Sequence, residues 1–338
     1  MAEKYIVIAN KLELELKKMR TEGISRLPSE NTLAEKYSCS RQTVRAALDI
    51  LQKAGLIEKR TGSGSYIVEE SNKNKTVYFI TEDCDRYLSP ALISGLRTDL
   101  ASSKYSLVAC STFGSSKEEA AAITRAVKEK AAAIIIEPVH DLIPNANERL
   151  VEEALNARIP VIYLNSSCAP SGVITIAPDY REAGKNLTDK LKGEGRRKTA
   201  CIFCTDTSSG MDEYKGYIDS VSSFDESRCL LLSYKEEKEI LEGNLNLLNT
   251  FINDVLSDCD SVICENGMIA HSLTGLLKKR GVSVPEIMTV ACFDNGYYSS
   301  DSIISMGYDT DSLCRKIAKT ATALAEGGIA KDIVIALN

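Results

Sequence analysis

A chain of 338 residues exceeds the span of one ordinary domain, and with 44% hydrophobic and 26% charged residues it carries enough apolar side chain for two or three real cores, which excludes a disordered protein. There is no apolar run of the ~18 residues a membrane helix needs, and the opening MAEKYIVIANKLELELKK lacks the basic, apolar, small-residue order of an export signal, so the cytosol is the expected compartment and no membrane contact is expected. A net charge of -6 taken alone argues against nucleic acid, yet residues 1–75 hold 14 Lys and Arg against 10 Asp and Glu while residues 76–338 hold 27 against 37, so a basic front sits on an acidic body.

In chain order, Ile6, Ala9, Leu12, Leu16 and Met19 recur at helical spacing until Gly23 stops the helix. Ser29 follows Pro28 as the N-cap of a second short helix with Leu33 and Tyr37, and Ser40 caps a third whose inward stripe is Val44, Leu48 and Leu51, closed by Gly55. Two helices separated by so short a turn form a helix-turn-helix. Leu56 to Arg60 and Ser65 to Val68 then read as strands around the tip Thr61-Gly62-Ser63-Gly64, which is a wing.

A helix beginning at Ser40 presents Arg41, Gln42 and Arg45 near its exposed amino-terminal turn. Arg suits bidentate contact with guanine and Gln with adenine, and the Ser40 and Thr43 hydroxyls suit phosphate oxygens. The alternative, solvated charges on a surface helix, is outweighed by the motif around them. The order Leu27-Pro28-Ser29-Glu30, Leu33-Ala34, Ser40 to Leu48, Gly55-Leu56-Ile57 and Gly62 to Ile67 resembles the GntR family winged helix over nearly all of residues 5–68. The resemblance implies that the Ser40 helix enters the major groove and the wing nears the minor groove of an operator duplex. The expected DNA-binding residues are Ser29, Asn31, Ser40, Arg41, Gln42, Thr43, Arg45, Thr61, Gly62, Ser63 and Gly64. Asn31 stands where the family often carries Arg.

Glu69 to Lys75 is polar and aperiodic, and a linker over 70–75 divides a DNA-binding domain of residues 1–69 from a body of 76–338. In the body, apolar runs at Val77 to Ile80, Leu107 to Cys110, Ala133 to Ile136, Val161 to Leu164, Thr199 to Phe203, Leu230 to Leu232, Ser261 to Cys264 and Thr289 to Cys292 alternate with amphipathic helices such as Pro90 to Ser102, Lys117 to Glu129, Tyr180 to Lys192 and Met268 to Arg280. Such alternation predicts parallel sheets with helices on both faces, two sheets rather than one. The fold class is therefore α/β: an N-terminal winged helix-turn-helix and a two-lobed, doubly wound effector domain.

Several of the 11 cysteines, Cys110, Cys264 and Cys292 among them, end apolar runs and read as small hydrophobes. Cys201 and Cys204 have CxxC spacing but lie in an apolar strand with no second pair, and His140 and His271 lack a nucleophile to serve. No phosphate loop or dinucleotide fingerprint appears, so neither enzyme nor cofactor or metal is expected.

In a doubly wound body the ligand lies outside the carboxyl ends of the strands. That places Tyr87, Glu137, Asn165, Asp179, Thr205, Glu265, Asn266 and Asp294 at a small-molecule site, where carboxylates and amides meet hydroxyls and Tyr87 stacks on a ring face. Asp179 serves equally well as a helix cap.

The body resembles the LacI-type regulators, with the periplasmic sugar-binding fold, in AAAIIIEP, Ile159-Pro160-Val161, Asp179-Tyr180 with Ala183-Gly184, Lys215-Gly216-Tyr217, GVSVPE and Phe293-Asp294-Asn295. A GntR head on such a body is similar to the arabinose-repressor subfamily. The resemblance implies a homodimeric repressor of carbohydrate-utilisation genes with a sugar-like effector. A cytoplasmic sugar-binding protein or an activator is the alternative. Two departures stand out: Glu213 where the family commonly has Arg, and Glu265-Asn266 where it has Asn-Asp.

Overall fold

The computed structural model describes residues 4–53, 55–60, 63–67, 74–86, 88–293, 298 and 300–337. It divides into two units, Met1–Lys73 and Asn74–Asn338.

In the first unit, α1 (Lys4–Thr21), α2 (Glu30–Lys36) and α3 (Arg41–Lys53) precede a hairpin of β1 (Ile57–Arg60) and β2 (Gly64–Ile67). Their core joins Ile8, Leu12 and Leu16 of α1 to Leu33 of α2, to Val44, Ala47, Leu48 and Leu51 of α3, and to Ile57 and Ile67 of the hairpin. The inward place expected of Ile6 belongs to Ile8, and Ile6 is 40% exposed. Ser29 and Ser40 begin α2 and α3 in the same way: each hydroxyl accepts the N–H of the Thr three residues on, at 3.2 and 3.1 Å. Each also hydrogen-bonds that Thr's own hydroxyl at 2.8 Å. The turn between the helices passes through Ser38 at φ 47°, and the Cys39 N–H returns to the Ala34 carbonyl. The hairpin is antiparallel, pairing Arg60 with Gly64, and gains a third edge from the Arg26–Tyr66 bridge.

The second unit holds two parallel sheets. The first contains β3 (Thr76–Thr81), β4 (Ser106–Ser111), β5 (Ala133–Ile136), β6 (Val161–Leu164), β7 (Ile174–Pro178) and β13 (Ile333–Ile335), in the order β13-β7-β6-β5-β3-β4. The second contains β8 (Thr199–Cys204), β9 (Cys229–Leu232), β10 (Ser261–Cys264), β11 (Thr289–Phe293) and β12 (Ile303–Met306), in the order β12-β11-β10-β8-β9. These are the parallel, helix-covered sheets the alternating pattern predicts.

Each sheet is buried on both faces because successive side chains of a strand point to opposite sides. Val77 and Phe79 join a core with α4 (Ser89–Ser102) and α12 (Thr310–Ala325). Tyr78 and Ile80 face α5 (Ser116–Lys128) and α6 (Glu148–Asn156). In the second sheet, Ile202 and Cys204 lie under α9 (Tyr234–Leu241), α10 (Asn246–Asp254) and α11 (Gly267–Lys279). Cys201 and Phe203 lie under α7 (Tyr180–Gly193) and, through Tyr217, α8 (Ser208–Ser220).

The chain passes between lobes three times. It leaves β7 for α7, whose Leu187 and Leu191 belong to the second lobe's core. It returns from β12 to α12, whose Ile317 and Ala321 belong to the first lobe's core. After β13, Leu337 packs back into the second lobe. Helices α7 and α8 cross at Gly184 and Gly216, where a Cβ would meet the Glu213 carbonyl oxygen at 2.4 Å and the Arg181 carbonyl oxygen at 2.1 Å respectively. Only glycine permits that approach, and it fixes the turn of α8 that carries Glu213. No helix among the described residues is long and apolar enough to cross a membrane.

Candidate functional sites: the recognition helix and the acidic cleft

On α3 the residues opposite the buried stripe are Arg41, Gln42 and Arg45, all exposed, with Thr43 partly covered. Packing alone sets this division: Val44, Ala47, Leu48 and Leu51 take the inward face, which leaves positions 41, 42 and 45 on the outward one. Arg45 donates to both carboxylate oxygens of Glu30 across the helix-turn-helix, at 3.2 Å from Nε and 2.8 Å from Nη2, and this pair holds the Glu30 carboxyl below its ordinary range. Asn31 is exposed on α2. Thr61 and Gly62 lie outside the described residues, as do residues 70–73 of the expected linker.

At the wing, Gly64 takes φ 107°, a conformation that strains any residue with a Cβ, and the Ser63 hydroxyl pairs with the Tyr66 hydroxyl at 2.7 Å. The structure adds two cations there. The guanidinium groups of Arg26 and Arg60 lie 5.7 and 4.6 Å from the centre of the Tyr66 ring, and Arg26 donates to the Ser63 carbonyl at 2.6 Å. Arg26 lies 37 residues from Ser63, and no local periodicity joins them.

Between the two lobes of the body lies a cleft of about 340 Å³, within the range of small-molecule sites. It is lined at the carboxyl ends of strands by Thr81 and Glu82 after β3, Glu137 after β5, Asn165 after β6, Glu265 and Asn266 after β10, and Phe293 at the end of β11. Tyr180, Glu213, Tyr234, Glu237 and Tyr308 also line it. Four of the residues expected from sequence, Glu137, Asn165, Glu265 and Asn266, thus lie together. Asp179 does not line the cleft; it caps α7, accepting the Glu182 N–H at 3.0 Å. Thr205 lines an adjoining cavity of about 450 Å³ that shares Glu82, Glu137 and Tyr234 with the cleft. Tyr87 and Asp294 lie outside the described residues.

The cleft's polar groups are braced by the scaffold. Asn165, at φ 54°, accepts from the Tyr180 hydroxyl at 3.3 Å. Asn266 caps α11, accepting the Ile269 N–H at 3.0 Å, while its amide donates to Glu237 Oε1 at 2.9 Å. Glu265 accepts from the Cys204 N–H and, at 3.4 Å, from the Thr207 hydroxyl; Glu137 accepts from the Thr81 hydroxyl. The lobes also touch each other. Asp141 accepts the Ser208 N–H at the start of α8 at 3.0 Å, Ser167 and Ser208 share a hydrogen bond at 2.9 Å, and Tyr234 donates to Glu82.

Glu213, Tyr180, Tyr234 and Glu237 were not expected as a cleft wall. The one hint in the sequence was Glu213, standing at a position where the resembling family has Arg. Cys201 and Cys204 are buried in β8, as the apolar reading of that strand expects.

Burial pushes the carboxyls of Glu137, Glu213 and Glu265 up, and lifts Glu237 to about 7 with help from the Glu82 charge. These groups are raised above their unfolded value of 4.5, so the folded chain holds protons that the unfolded chain has released. For Glu237 that contribution to stability is complete below about pH 4.5 and is lost as pH rises through about 7, by about 1.4 kcal/mol per unit of upward shift, and the raised carboxyls of Glu137, Glu213 and Glu265 act in the same direction. Thermal melts of the effector-free protein from pH 5 to 8.5 are expected to show a falling melting temperature, and Glu213→Gln is expected to flatten that fall. A melting temperature that climbs over this interval contradicts the assignment.

The two units and the interlobe cleft define a transcription regulator built from a winged-helix head and a periplasmic-binding-type body. Residues 4–67 match the family described as bacterial regulatory proteins, gntR family, and residues 74–306 match the periplasmic binding proteins and sugar binding domain of LacI family, to which the chain belongs. Two curated relatives carry the name arabinose metabolism transcriptional repressor. The one from Geobacillus stearothermophilus is 26% identical over 288 residues, covering 83% of this chain and 79% of the relative. The one from Halalkalibacterium halodurans is 23% identical over 311 residues, covering 88% and 83%. Among solved structures, the periplasmic binding protein/LacI transcriptional regulator from Alkaliphilus metalliredigens complexed with D-xylulofuranose superposes with a TM-score of 0.64 at 20% identity, over 78% of this chain and 96% of that one. The transcriptional regulator CelR in complex with cellobiose gives 0.66 at 15% identity, over 92% and 98%.

Proposed function

We propose that this regulator is a cytoplasmic homodimer that represses carbohydrate-utilisation genes and is released when a small sugar-like effector occupies the interlobe cleft. In this reading residues 1–69 bind the operator duplex, 70–75 link, and 76–338 bind effector and dimerise. Arg41, Gln42 and Arg45 read base edges, Ser29, Asn31, Ser40 and Thr43 hold the backbone, and residues 61–64 bring the wing to the duplex. Glu137, Asn165, Glu265 and Asn266 form the core of the effector site, to which Tyr87 and Asp294 contribute.

The observation that carries the reading is the joining, on one chain, of an outward Arg41-Gln42-Arg45 face with a cleft walled by polar groups from both lobes. Asp141 with Ser208 and Glu82 with Tyr234 are made by opposite lobes, so a ligand seated between them biases the closed state against the open one. Coupling to DNA requires only that the operator-bound and released dimers differ in their preference for the closed cleft. The relatives named as arabinose repressors support the repressor sense. The cleft reads as a binding site: Glu137, Glu237 and Glu265 accept hydrogen bonds from Thr81, Asn266 and the Cys204 N–H, which hold them in place around a ligand.

The test is to select bound duplexes from a random library and then titrate the selected complex with pentoses, hexoses, amino sugars, uronic acids and sugar phosphates. At least one compound is expected to raise the melting temperature of the free protein and to weaken the DNA complex by about tenfold or more, the scale of an ordinary allosteric coupling. Failure to enrich any duplex refutes the DNA reading. Enrichment without a response to any compound refutes the effector reading.

A further inference from the structure

The cleft is built for positive charge. Among the described residues its wall carries six carboxyl side chains, from Glu82, Asp83, Glu137, Glu213, Glu237 and Glu265, against two cations, Arg86 and Lys238. Arg86 is already turned toward Glu82, 3.7 Å away. Glu213 is the least satisfied of the acids. It is 1% exposed, it lines the cleft, and the described residues offer its Oε2 no hydrogen-bond partner. A buried carboxyl oxygen left without a hydrogen-bond partner is costly, and the cost is removed by a ligand that supplies one. Its neighbours push the same way: the charges of Glu265 and Glu237 act on Glu213, and the charge of Glu237 on Glu265.

Resting on the reading of this cleft as the effector site, we infer that the effector is a polyhydroxylated amine of the amino-sugar class, its ammonium group seated at Glu213 and Glu265 and its hydroxyls on Asn165 and Asn266. In the empty cleft the crowded, buried carboxyls are held toward their protonated form; an ammonium group takes the place of such a proton and lets Glu213 or Glu265 ionise, whereas a neutral sugar brings no charge and a sugar acid or phosphate adds a negative one. An ammonium group brings three donors and one positive charge to an acceptor that has no donor among the described residues. Tyr180 and Tyr308 also line the cleft, and aromatic side chains suit a cationic ligand.

A bare metal ion fits less well. Cys204 Sγ and one carboxylate oxygen each from Glu237 and Glu265 lie within 4.8 Å of one another, but Glu213 and Glu137 stand outside that group. Carboxyls spread along a wall match a ligand with several separated groups better than a point charge.

The experiment uses the full-length protein, with thermal shift and calorimetric titration of glucosamine, galactosamine and mannosamine against their neutral parent hexoses. Spermidine serves as a charged control without hydroxyls, and zinc or manganese chloride as the metal alone. At least one amino sugar is expected to bind at least about tenfold tighter than its parent, the scale of one hydrogen bond to a charged group. Glu213→Gln, which keeps the shape of the side chain, is expected to erase that preference while the protein melts cooperatively; Glu265→Gln gives the same readout from a second position. Parent hexoses that bind as tightly as the amines overturn the inference and leave the effector-site reading standing. Absence of binding by every sugar and amine overturns both. Spermidine that binds like an amino sugar, or a metal ion that alone stabilises the protein through Glu237, assigns the cleft to another cation and overturns the inference. An amine preference that survives both substitutions removes Glu213 and Glu265 from it.

Discussion

Replacing Arg41 by alanine is expected to lower the affinity of the full-length protein for its selected duplex by about ten- to a hundredfold at fixed salt, leaving effector binding unchanged. Arg41 opens α3 on its exposed face, away from the stripe of Val44, Leu48 and Leu51, so its loss removes no core packing. A bidentate arginine contact to a guanine edge is worth ~1–3 kcal/mol of discrimination, so the loss is expected to be greater on the selected duplex than on random DNA. Arg45 differs, because its guanidinium is already held by Glu30 at 2.8 Å. It must either leave Glu30 or present only its remaining donors. Competition binding measures the ratio of specific to random affinity directly. If Arg41→Ala weakens both duplexes equally, Arg41 touches phosphate; if it weakens neither, the outward face of α3 is not the reading face.

The body's architecture was legible in its sequence because each buried parallel strand is a continuous apolar run between amphipathic helices. Ala133–Ile136, Val161–Leu164 and Ser261–Cys264 are such runs, and all three fall where the pattern placed them. The strands that escaped are those the pattern cannot mark. Ile174–Pro178 has only part of its length buried and ends in proline, and Ile333–Ile335 is three residues long with its middle residue exposed. Ile303–Met306 escaped as well; β13 and β12 are edge strands with one neighbour each, where apolar character on both faces is not required, and β7 lies next in from β13 with β6 on its other side.

The cleft was half legible for a related reason. Strand ends announce themselves, so Glu137, Asn165, Glu265 and Asn266 were reached as strand-end positions of the two-lobed fold the body resembles. Glu213 and Glu237 sit within helices α8 and α9, where a glutamate reads as a solvated helix position. Only the crossing of α7 and α8 at Gly184 and Gly216 shows why Glu213 is turned inward. Arg26, 37 residues from the Ser63 carbonyl it binds, was invisible for the same reason: its partner is set by tertiary packing rather than by local pattern.

A fragment of residues 1–75 is expected to bind the selected duplex at least about a hundredfold more weakly than the full chain, with roughly half its salt dependence. The head has a core of its own, closed by Leu12, Leu33, Leu48 and Ile57, so the fragment keeps the surface that meets DNA. In the proposed homodimer, what it loses is the second head. In a dimer the second half-site is met at the effective concentration set by the tether, which multiplies affinity by about 10²–10⁴ without a new contact. Charge places the phosphate contacts on the same side of the linker. Residues 1–75 carry 14 Lys and Arg against 10 Asp and Glu, whereas residues 76–338 carry 27 against 37 and repel the duplex. Each neutralised phosphate contributes about 0.9 to the slope of log affinity against log salt, so two heads give about twice the slope of one. Titrations at four or more salt concentrations measure both quantities together. Equal slopes and equal affinities for fragment and full chain mean that the body neither pairs the heads nor influences their hold on DNA, and occupancy of the acidic cleft then has no physical route to the operator.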